Sequence, residues 1–300
     1  MKWNTNIVVA VLLLIPWSLV SQDNDLMDLL DEKDPTIDYT MATFKTTLLV
    51  LGQSVENPPN GNLIFNVQHR FGAVNSGGYD FFGLDQANTR LGFQYGINDW
   101  LAIGIGRSSY QKTYDGWLKV KMLRQSTGLR RMPFSVDYFG SMGISAIKWS
   151  EPDRTNYFSS RMSFANLLII ARKFSPGVSL QLVPTHIHYN LVETNEDDNN
   201  VFSMGAGGRF KISKRVSINL EYYYIISEQT RKQYTDPFSI GFDIETGGHV
   251  FQLYLTNAEG IIEHHFISRT SGKWWNGDIH IGFNISRTFT IKKPKKFLGE

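Results

Sequence analysis

The chain has 300 residues, a net charge of +2 and no cysteine, which excludes disulfides and thiolate metal sites. The nearly balanced charge favours no class of partner, and basic residues are not clustered with aromatic ones as in nucleic-acid surfaces, so we expect no nucleic-acid partner. No phosphate-binding, dinucleotide-binding or G-x-S-x-G motif is present, and we expect no cofactor. Aromatic residues at 13% and 26 glycines are typical of a β-rich protein.

The N-terminus has the pattern of a secretory signal peptide. Lys2 precedes an apolar run over 7–15, and small residues follow. The alternative is a membrane anchor, but the run is shorter than the roughly 20 residues that a spanning helix needs, and Pro16 interrupts it. We therefore predict that residues 1–21 are a signal peptide and that the mature chain is exported.

The next segment, residues 22–61, does not continue into a clear strand pattern. It begins with the acidic stretch DNDLMDLLDEKDP, and the part from Tyr39 to Val50 has a strand-like composition. We predict that this segment is either a periplasmic lead-in or a partial plug of the lumen of the domain that follows.

From residue 62 onward, apolar and polar residues alternate with a period of two, which is the signature of β-strands. For example, Leu91 and Phe93 alternate with Arg90, Gly92 and Gln94. The predicted strands are 62–71, 86–97, 100–110, 116–125, 134–148, 160–173, 177–190, 200–212, 215–227, 236–246, 248–257 and 278–290.

Three features favour a membrane barrel over a soluble sandwich or barrel. The strands are near the roughly 9 to 11 residues of transmembrane strands, whereas soluble strands average about 5 to 6. Glycines recur on the polar face, where small residues relieve crowding in a closed lumen. Aromatic residues lie near strand ends, as in interfacial girdles. The predicted fold is all-β, a transmembrane antiparallel up-and-down β-barrel of about 12 strands, within a range of about 10 to 14.

The connections support the same architecture, because tight and long joins alternate along the chain. The tight joins are Asn98-Asp99, Ser175-Pro176, Ser213-Lys214 and Gly247-Gly248, and the longer, polar joins are 72–85, 149–159, 191–199, 228–235 and 258–277. The joins 111–115 and 126–133 fit this alternation less clearly. If the tight joins are periplasmic, both ends of the barrel domain, residues 62–290, lie on the periplasmic side. The basic tail, residues 291–300, is predicted to be solvated.

Four stretches resemble the DUF5777 family of β-barrel proteins from Bacteroidota. They are DPTIDYTMATFKTTLLVLGQSVENPPNGNLIFNVQHRFG (34–72), KMLRQSTG (121–128), PFSIGFDIETGGHVFQLYLTNA (237–258) and GDIHIGFNISRTF (277–289). The resemblance implies an outer-membrane-type barrel of a Gram-negative organism, and it supplies no catalytic residues. The sequence departs from the family pattern at Leu48 to Leu51, where a more polar stretch is expected.

The candidate functional residues are polar groups on the face that points into the predicted lumen. Charged groups at membrane depth are costly unless they are hydrated or paired. They therefore form either interior salt bridges or a water path lined by both signs of charge. The lumen-lining candidates are Arg70, Arg90, Gln94, Arg209, Glu221, Asp243, Glu245, Asp278 and His280.

His186 and His188 lie two residues apart on one face of a strand, a spacing able to ligate a metal, but they fall at the outer end of the strand, and we predict no metal. His186 and His188 are interpreted as polar residues at the outer rim, and Glu263-His264-His265 as part of a long outer loop. His249 follows the predicted Gly247-Gly248 turn and is interpreted as a lipid-side residue at the interface. The acidic loop 193–200 lacks the spacing of a calcium loop.

We therefore predict a non-enzymatic protein of the outer membrane, either a small-solute channel or a structural component of the envelope. Its expected partners are outer-membrane lipid and either small solutes or an envelope protein. One alternative is a lipid-modifying or hydrolytic enzyme that uses Ser108, Ser109 and His186 near the outer rim. The other is a soluble periplasmic barrel that binds an apolar ligand.

Overall fold

The computed structural model describes residues 36–246 and 249–292. The predicted signal peptide, the first part of the 22–61 segment, the Gly247-Gly248 turn and most of the basic tail lie outside these residues. The side chain of His249 also lies outside the description, so its predicted position stays a prediction.

The described chain is almost entirely strands joined by turns and loops. The strands are β1 (Ile37–Tyr39), β2 (Asn62–Ala73), β3 (Ala87–Gly96), β4 (Leu101–Ser108), β5 (Thr113–Leu123), β6 (Ser126–Gly128), β7 (Ser135–Ser145), β8 (Met162–Lys173), β9 (Val178–Tyr189), β10 (Asn200–Lys211), β11 (Val216–Ile225), β12 (Phe238–Thr246), β13 (His249–Thr256) and β14 (His280–Thr290). Two short helices, α1 (Glu228–Gln233) and α2 (Glu263–Phe266), lie in the joins. No helix in the described part of the chain is long and apolar enough to cross a membrane.

Twelve of these strands form one closed antiparallel barrel, in which each strand pairs with its neighbours along the chain. The barrel closes where β14 pairs with β2, with Asn284 opposite Gln68 and an irregularity between His280 and Gly282. Closure pairs every edge strand, so no row of unpaired backbone groups is left facing lipid. The predicted up-and-down barrel of about 12 strands is confirmed.

The alternating pattern separates the two faces of the wall. On β3, Leu91 and Phe93 point outward and are 48% and 46% exposed, whereas Arg90 and Gln94 point inward and are 6% and 3% exposed. The wall therefore presents an apolar surface outside and polar side chains inside, as a membrane barrel requires.

The two ends of the barrel differ in their connections. The turn side carries the tight joins 97–100, 174–177 and 212–215, and the loop side carries the long joins 74–86, 146–161, 190–199, 226–237 and 257–279. Of the two unclear joins, 109–112 is a short connection on the loop side, and 124–134 is a longer one on the turn side. The latter contains β6, which pairs with β1 as a separate two-stranded sheet.

The interior of the barrel is occupied by two segments. Residues 43–56, which we call the hairpin, follow β1 and enter from the turn side. Residues 257–272, which we call the inner loop, enter from the loop side. The expected strand-like conformation of Tyr39 to Val50 is wrong beyond Tyr39, because residues 43–50 form bends instead of a strand.

Candidate functional site: the filled lumen

The hairpin reverses direction inside the barrel. The amide of Leu49 donates to the carbonyl of Gly52 at 2.8 Å, and the amide of Ser54 donates to the carbonyl of Thr47 at 3.0 Å. The tip between them, residues 50–51, is apolar and 1–3% exposed. The hairpin thus places a small apolar tip at the centre of a polar lumen.

Two charged wall side chains bind the backbone of the hairpin. The Glu221 carboxylate accepts hydrogen bonds from the amides of Leu51 at 2.7 Å and Gly52 at 3.0 Å. The Lys119 ammonium, which is fully buried, donates to the carbonyls of Ser54 and Glu56, each at 3.0 Å. Hydrogen bonds to charged groups contribute about 1.5–3 kcal/mol each, so these are the strongest attachments of the hairpin.

Four wall amides complete the attachment, and each donates to a hairpin carbonyl. The pairs are Gln181 to Gln53 at 3.0 Å, Asn219 to Leu49 at 3.3 Å, Gln252 to Leu49 at 3.1 Å and Asn284 to Val50 at 3.0 Å. Because the bonds go to main-chain atoms, they hold the hairpin backbone in place and do not depend on the identity of the hairpin side chains.

Glycines provide the space for this close approach at two points. A Cβ atom at Gly52 would lie 2.2 Å from the Tyr223 hydroxyl and 2.3 Å from the Glu221 carboxylate. A Cβ atom at Gly207 on the wall would lie 2.3 Å from a methyl group of Leu49. Gly207 is one of the polar-face glycines that the sequence predicts to relieve crowding in the lumen. In the structure it faces the hairpin.

The inner loop is attached by a different set of wall residues. Arg70 donates to the carbonyls of Ala258, at 2.9 Å, and Gly260. The Tyr189 hydroxyl bonds the carbonyl of His264 and lies 2.7 Å from the hydroxyl of Ser268. These contacts turn the loop into the barrel instead of leaving it in solvent.

Burial shifts the acid–base behaviour of α2, which lies within the inner loop. It lowers the pKa of His264 to about 4 and that of His265 to about 3, because the charged imidazolium loses its hydration. Burial likewise raises the pKa of the Glu263 carboxyl, against hydrogen bonds that lower it. The Glu263-His264-His265 run was predicted to lie in an outer loop, and the structure places all three side chains inside the barrel.

The hairpin and the inner loop meet inside the lumen. The Gln53 amide nitrogen donates to the Glu263 carboxyl oxygen at 2.9 Å. The space left beside this contact is about 10 Å³, at the lower limit of the roughly 10–15 Å³ that holds one water molecule. The described residues therefore leave no solute-sized path at this level.

Most of the predicted lumen-lining residues point into the barrel and are buried. Those are Arg70, Arg90, Gln94, Arg209, Glu221, Asp243 and His280. Arg90 forms a buried ion pair with Asp115, with a distance of 2.8 Å between Nε and Oδ1. Glu245 lies near the turn-side rim, where it pairs with Lys45 of the hairpin.

Asp278 is a correction to the predicted set. Strand β14 begins at His280, two residues later than predicted, so Asp278 belongs to the preceding join. Its carboxylate accepts a hydrogen bond from Asn75 at 2.6 Å on the loop side and does not line the lumen. A hydrogen bond from the backbone amide of Lys273, and then this one from Asn75, lower the pKa of Asp278.

Sequence reasoning missed three of the charged lumen residues, Asp115, Lys119 and Asp137, all of which are buried. The predicted start of β5 at residue 116 left Asp115 outside the strand, whereas the strand begins at Thr113. The shared parity of Asp115, Trp117 and Lys119 was the available signal, and it places all three on the inward face.

The residues of the enzyme alternative do not come together. Ser108 is fully buried on the inner face of β4, and the Ser109 hydroxyl accepts the amide of Thr89 at 2.8 Å. His186 lies on β9, on the outer face with His188, and both rings contact the side-chain oxygen of Asn200. Within the described residues, no group of three or more potential ligands is arranged to hold a metal ion.

A closed barrel with an apolar outer face and a filled polar lumen defines a membrane β-barrel. The chain belongs to the DUF5777 family, described as a membrane-bound β-barrel domain, whose model matches residues 44–289. The family predicted from the sequence is thereby confirmed. No curated protein matches the chain.

Several solved barrels are similar in fold. The NanC porin is 8% identical with a TM-score of 0.48, and the alignment covers 77% of this chain and 100% of that one. The KdgM porin is 9% identical with a TM-score of 0.46, covering 76% and 99%. Outer membrane phospholipase A from Escherichia coli is 10% identical with a TM-score of 0.42, covering 77% and 91%.

Proposed function

We propose that the protein is an outer-membrane channel for small solutes that is closed in the observed conformation by the hairpin and the inner loop. The observation that carries the proposal is the chemistry of the wall behind the hairpin. Six polar wall side chains, Lys119, Gln181, Asn219, Glu221, Gln252 and Asn284, bind its backbone. Once the hairpin withdraws, these groups line a path that water can wet.

Withdrawal of the hairpin leaves the barrel wall intact, because the hairpin is not one of its strands. The strands keep their ladders of hydrogen bonds, whereas the side-chain bonds to the hairpin are exchanged for bonds to water and the apolar tip at Val50 and Leu51 loses its burial. Each such exchange costs about 0.5–1.5 kcal/mol for neutral groups and about 1.5–3 kcal/mol for charged ones. The four bonds to charged groups and the four neutral bonds together correspond to about 8–18 kcal/mol, so a signal must supply differential binding of that order to shift the equilibrium.

The outer-membrane location is part of the proposal. It is supported by the membrane-bound family, the apolar outer face and the signal peptide predicted over residues 1–21. Membrane fractionation should recover the mature protein with outer-membrane markers, and recovery with soluble periplasmic proteins would contradict the assignment. The proposal assigns no catalytic activity.

Planar-bilayer recording tests the channel. We expect the wild-type protein to show no conductance. The test variant lacks residues 36–60 and carries a short Gly-Ser turn in place of the inner loop, and we expect it to show stepwise conductance. Heat-modifiable gel migration shows whether each variant is folded. A folded double variant that never conducts would contradict the channel and would favour a structural role in the envelope.

A further inference from the structure

A cavity lies at the turn-side end of the wall, between the 97–100 turn, the end of β5 and the 124–134 join. Its volume is about 190 Å³. Pockets that enclose a whole small molecule have volumes of roughly 300–1,000 Å³. The cavity therefore suits one end of a longer molecule better than a complete ligand.

The apolar side of this cavity is continuous with the outer face of the wall. Leu123 pairs with Val136, whose two chain neighbours are buried on the inward face, so both side chains point outward. Met122 and Trp100 also line the cavity, and they are 58% and 54% exposed. Because tryptophan at the end of a transmembrane strand lies at the level of the lipid headgroups, the cavity is placed where acyl chains meet their headgroups.

The polar side of the cavity is positively charged. Lys121, Arg124 and Arg130 line it, together with the Asp99 carboxylate. Lys121 lies across the strands from the buried Asp137. The 124–134 join carries three arginines and no acidic residue. Among the described residues, no ion pair involves either arginine of the cavity, so both are available to an anionic ligand.

Both arginines are held in place with hydrogen-bond donors to spare. The guanidinium of Arg124 lies 4.1 Å from the centroid of the Tyr39 ring, and one of its N–H groups donates to the sulfur of Met41 at 3.7 Å. Stacking uses the face of the guanidinium, so its other edge N–H groups can still bind an anion. Arg130 lies in a turn that two backbone hydrogen bonds, of 2.9 and 3.1 Å, close between residues 126 and 132.

We propose that this cavity binds the phosphate of an anionic phospholipid from the leaflet on the turn side. The phosphate lies between Arg124 and Arg130, since guanidinium groups match the oxygens of a phosphate. The acyl chains run past Leu123 and Met122 onto the outer face of the wall. The arginines favour a lipid of net negative charge over a zwitterionic one, whose cationic group they would repel. The proposal does not depend on the channel function.

Native mass spectrometry of the folded full chain in detergent tests the site. The probes are phosphatidylglycerol, phosphatidylcholine with the same acyl chains, inorganic phosphate and a hexaglutamate peptide. We expect phosphatidylglycerol to bind more tightly than the other three probes. Arg124→Gln and Arg130→Gln should each weaken its binding about fivefold, as expected for the loss of one cation near a lipid headgroup.

Arg154→Gln is the matched control, because it removes the same charge at a different place. Arg154 is an exposed residue of the 146–161 join on the loop side, where it lies 3.9 Å from Glu151. The affinity for phosphatidylglycerol should be unchanged in this variant. Heat-modifiable migration of all three variants separates a lost site from a lost fold.

The proposal is overturned if phosphatidylglycerol binds no more tightly than phosphatidylcholine, or if Arg124→Gln and Arg130→Gln leave its affinity unchanged in folded protein. Inorganic phosphate that binds as tightly as phosphatidylglycerol would show an anion site that makes no use of the apolar wall. Tighter binding of hexaglutamate would show that the surface accepts an acidic protein segment instead of a lipid. Each of these results contradicts the lipid site, whatever the conductance of the opened variant.

Discussion

Glu221 is the side chain whose loss should release the hairpin most strongly. Its carboxylate accepts the amides of Leu51 and Gly52 and the Tyr223 hydroxyl, and it is 3% exposed. Glu221→Leu leaves the two hairpin amides without an acceptor. At about 1.5–3 kcal/mol for each bond to a charged group, the docked state should lose roughly 3–6 kcal/mol.

A single introduced cysteine can report this release, because the chain has none of its own. Val50→Cys places a thiol at the hairpin tip, where Val50 is 1% exposed. Labelling by a membrane-impermeant maleimide then measures how often the tip leaves the lumen. A loss of about 3 kcal/mol should raise the labelling rate roughly 100-fold, since each 1.4 kcal/mol is a factor of ten.

Glu221→Gln is the conservative control, since it keeps one acceptor oxygen and the same volume. Its labelling rate should fall between those of the Val50→Cys protein and the Glu221→Leu variant. If Glu221→Leu labels no faster than its parent while remaining folded on a heat-modifiable gel, the hairpin is not held by this carboxylate and the reasoning is wrong.

Three further predictions concern the space and the contacts inside the lumen. Gly207→Ala should raise labelling of Val50→Cys about tenfold or more, because the new methyl group overlaps Leu49, and adding Leu49→Ala should reverse much of the effect. Arg70→Met should free the inner loop, so that trypsin cleaves it in membrane-embedded protein where the wild type resists; equal resistance would contradict the role of Arg70. The contribution of His264 and His265 to docking of the inner loop should be fully present above pH 6.5 and be lost as the pH falls from 6.5 to their lowered pKa values, about 4 for His264 and about 3 for His265, because burial favours their neutral forms. For His264 this corresponds to about 3 kcal/mol, and hydrogen–deuterium exchange, corrected for intrinsic rates, should show loss of protection that His264→Gln with His265→Gln reduces.

The wall of the barrel could be predicted from the sequence because its determinants are local. Alternation with a period of two identifies a strand and its two faces within about ten residues, and turn residues mark its ends. Some errors lay at strand boundaries, whereas Lys119 and Asp137 were missed inside predicted strands. Asp278 was placed in the lumen, and Asp115 outside a strand, because each lies within three residues of a strand end.

The filling of the lumen could not be predicted in the same way, because it depends on contacts between distant parts of the chain. The hairpin backbone is bound by side chains from five strands, from Lys119 on β5 to Asn284 on β14. Nothing near Leu48 to Leu51 in sequence indicates those partners. The inner loop likewise has a polar composition, and its burial depends on Arg70, almost 190 residues away.

Crosslinking of the hairpin tip to the wall tests the closed lumen most directly. A Cβ atom at Gly241 on β12 would lie 3.2 Å from a methyl group of Val50, so Val50→Cys with Gly241→Cys should form a disulfide on oxidation in intact membranes. In the control pair, Leu253→Cys replaces Gly241→Cys and projects from the outer face of the wall, where Leu253 is 49% exposed. The account predicts a crosslink in the first pair and none in the control. Failure of the first pair to crosslink, or equal crosslinking of both, would show that the hairpin does not fill the lumen.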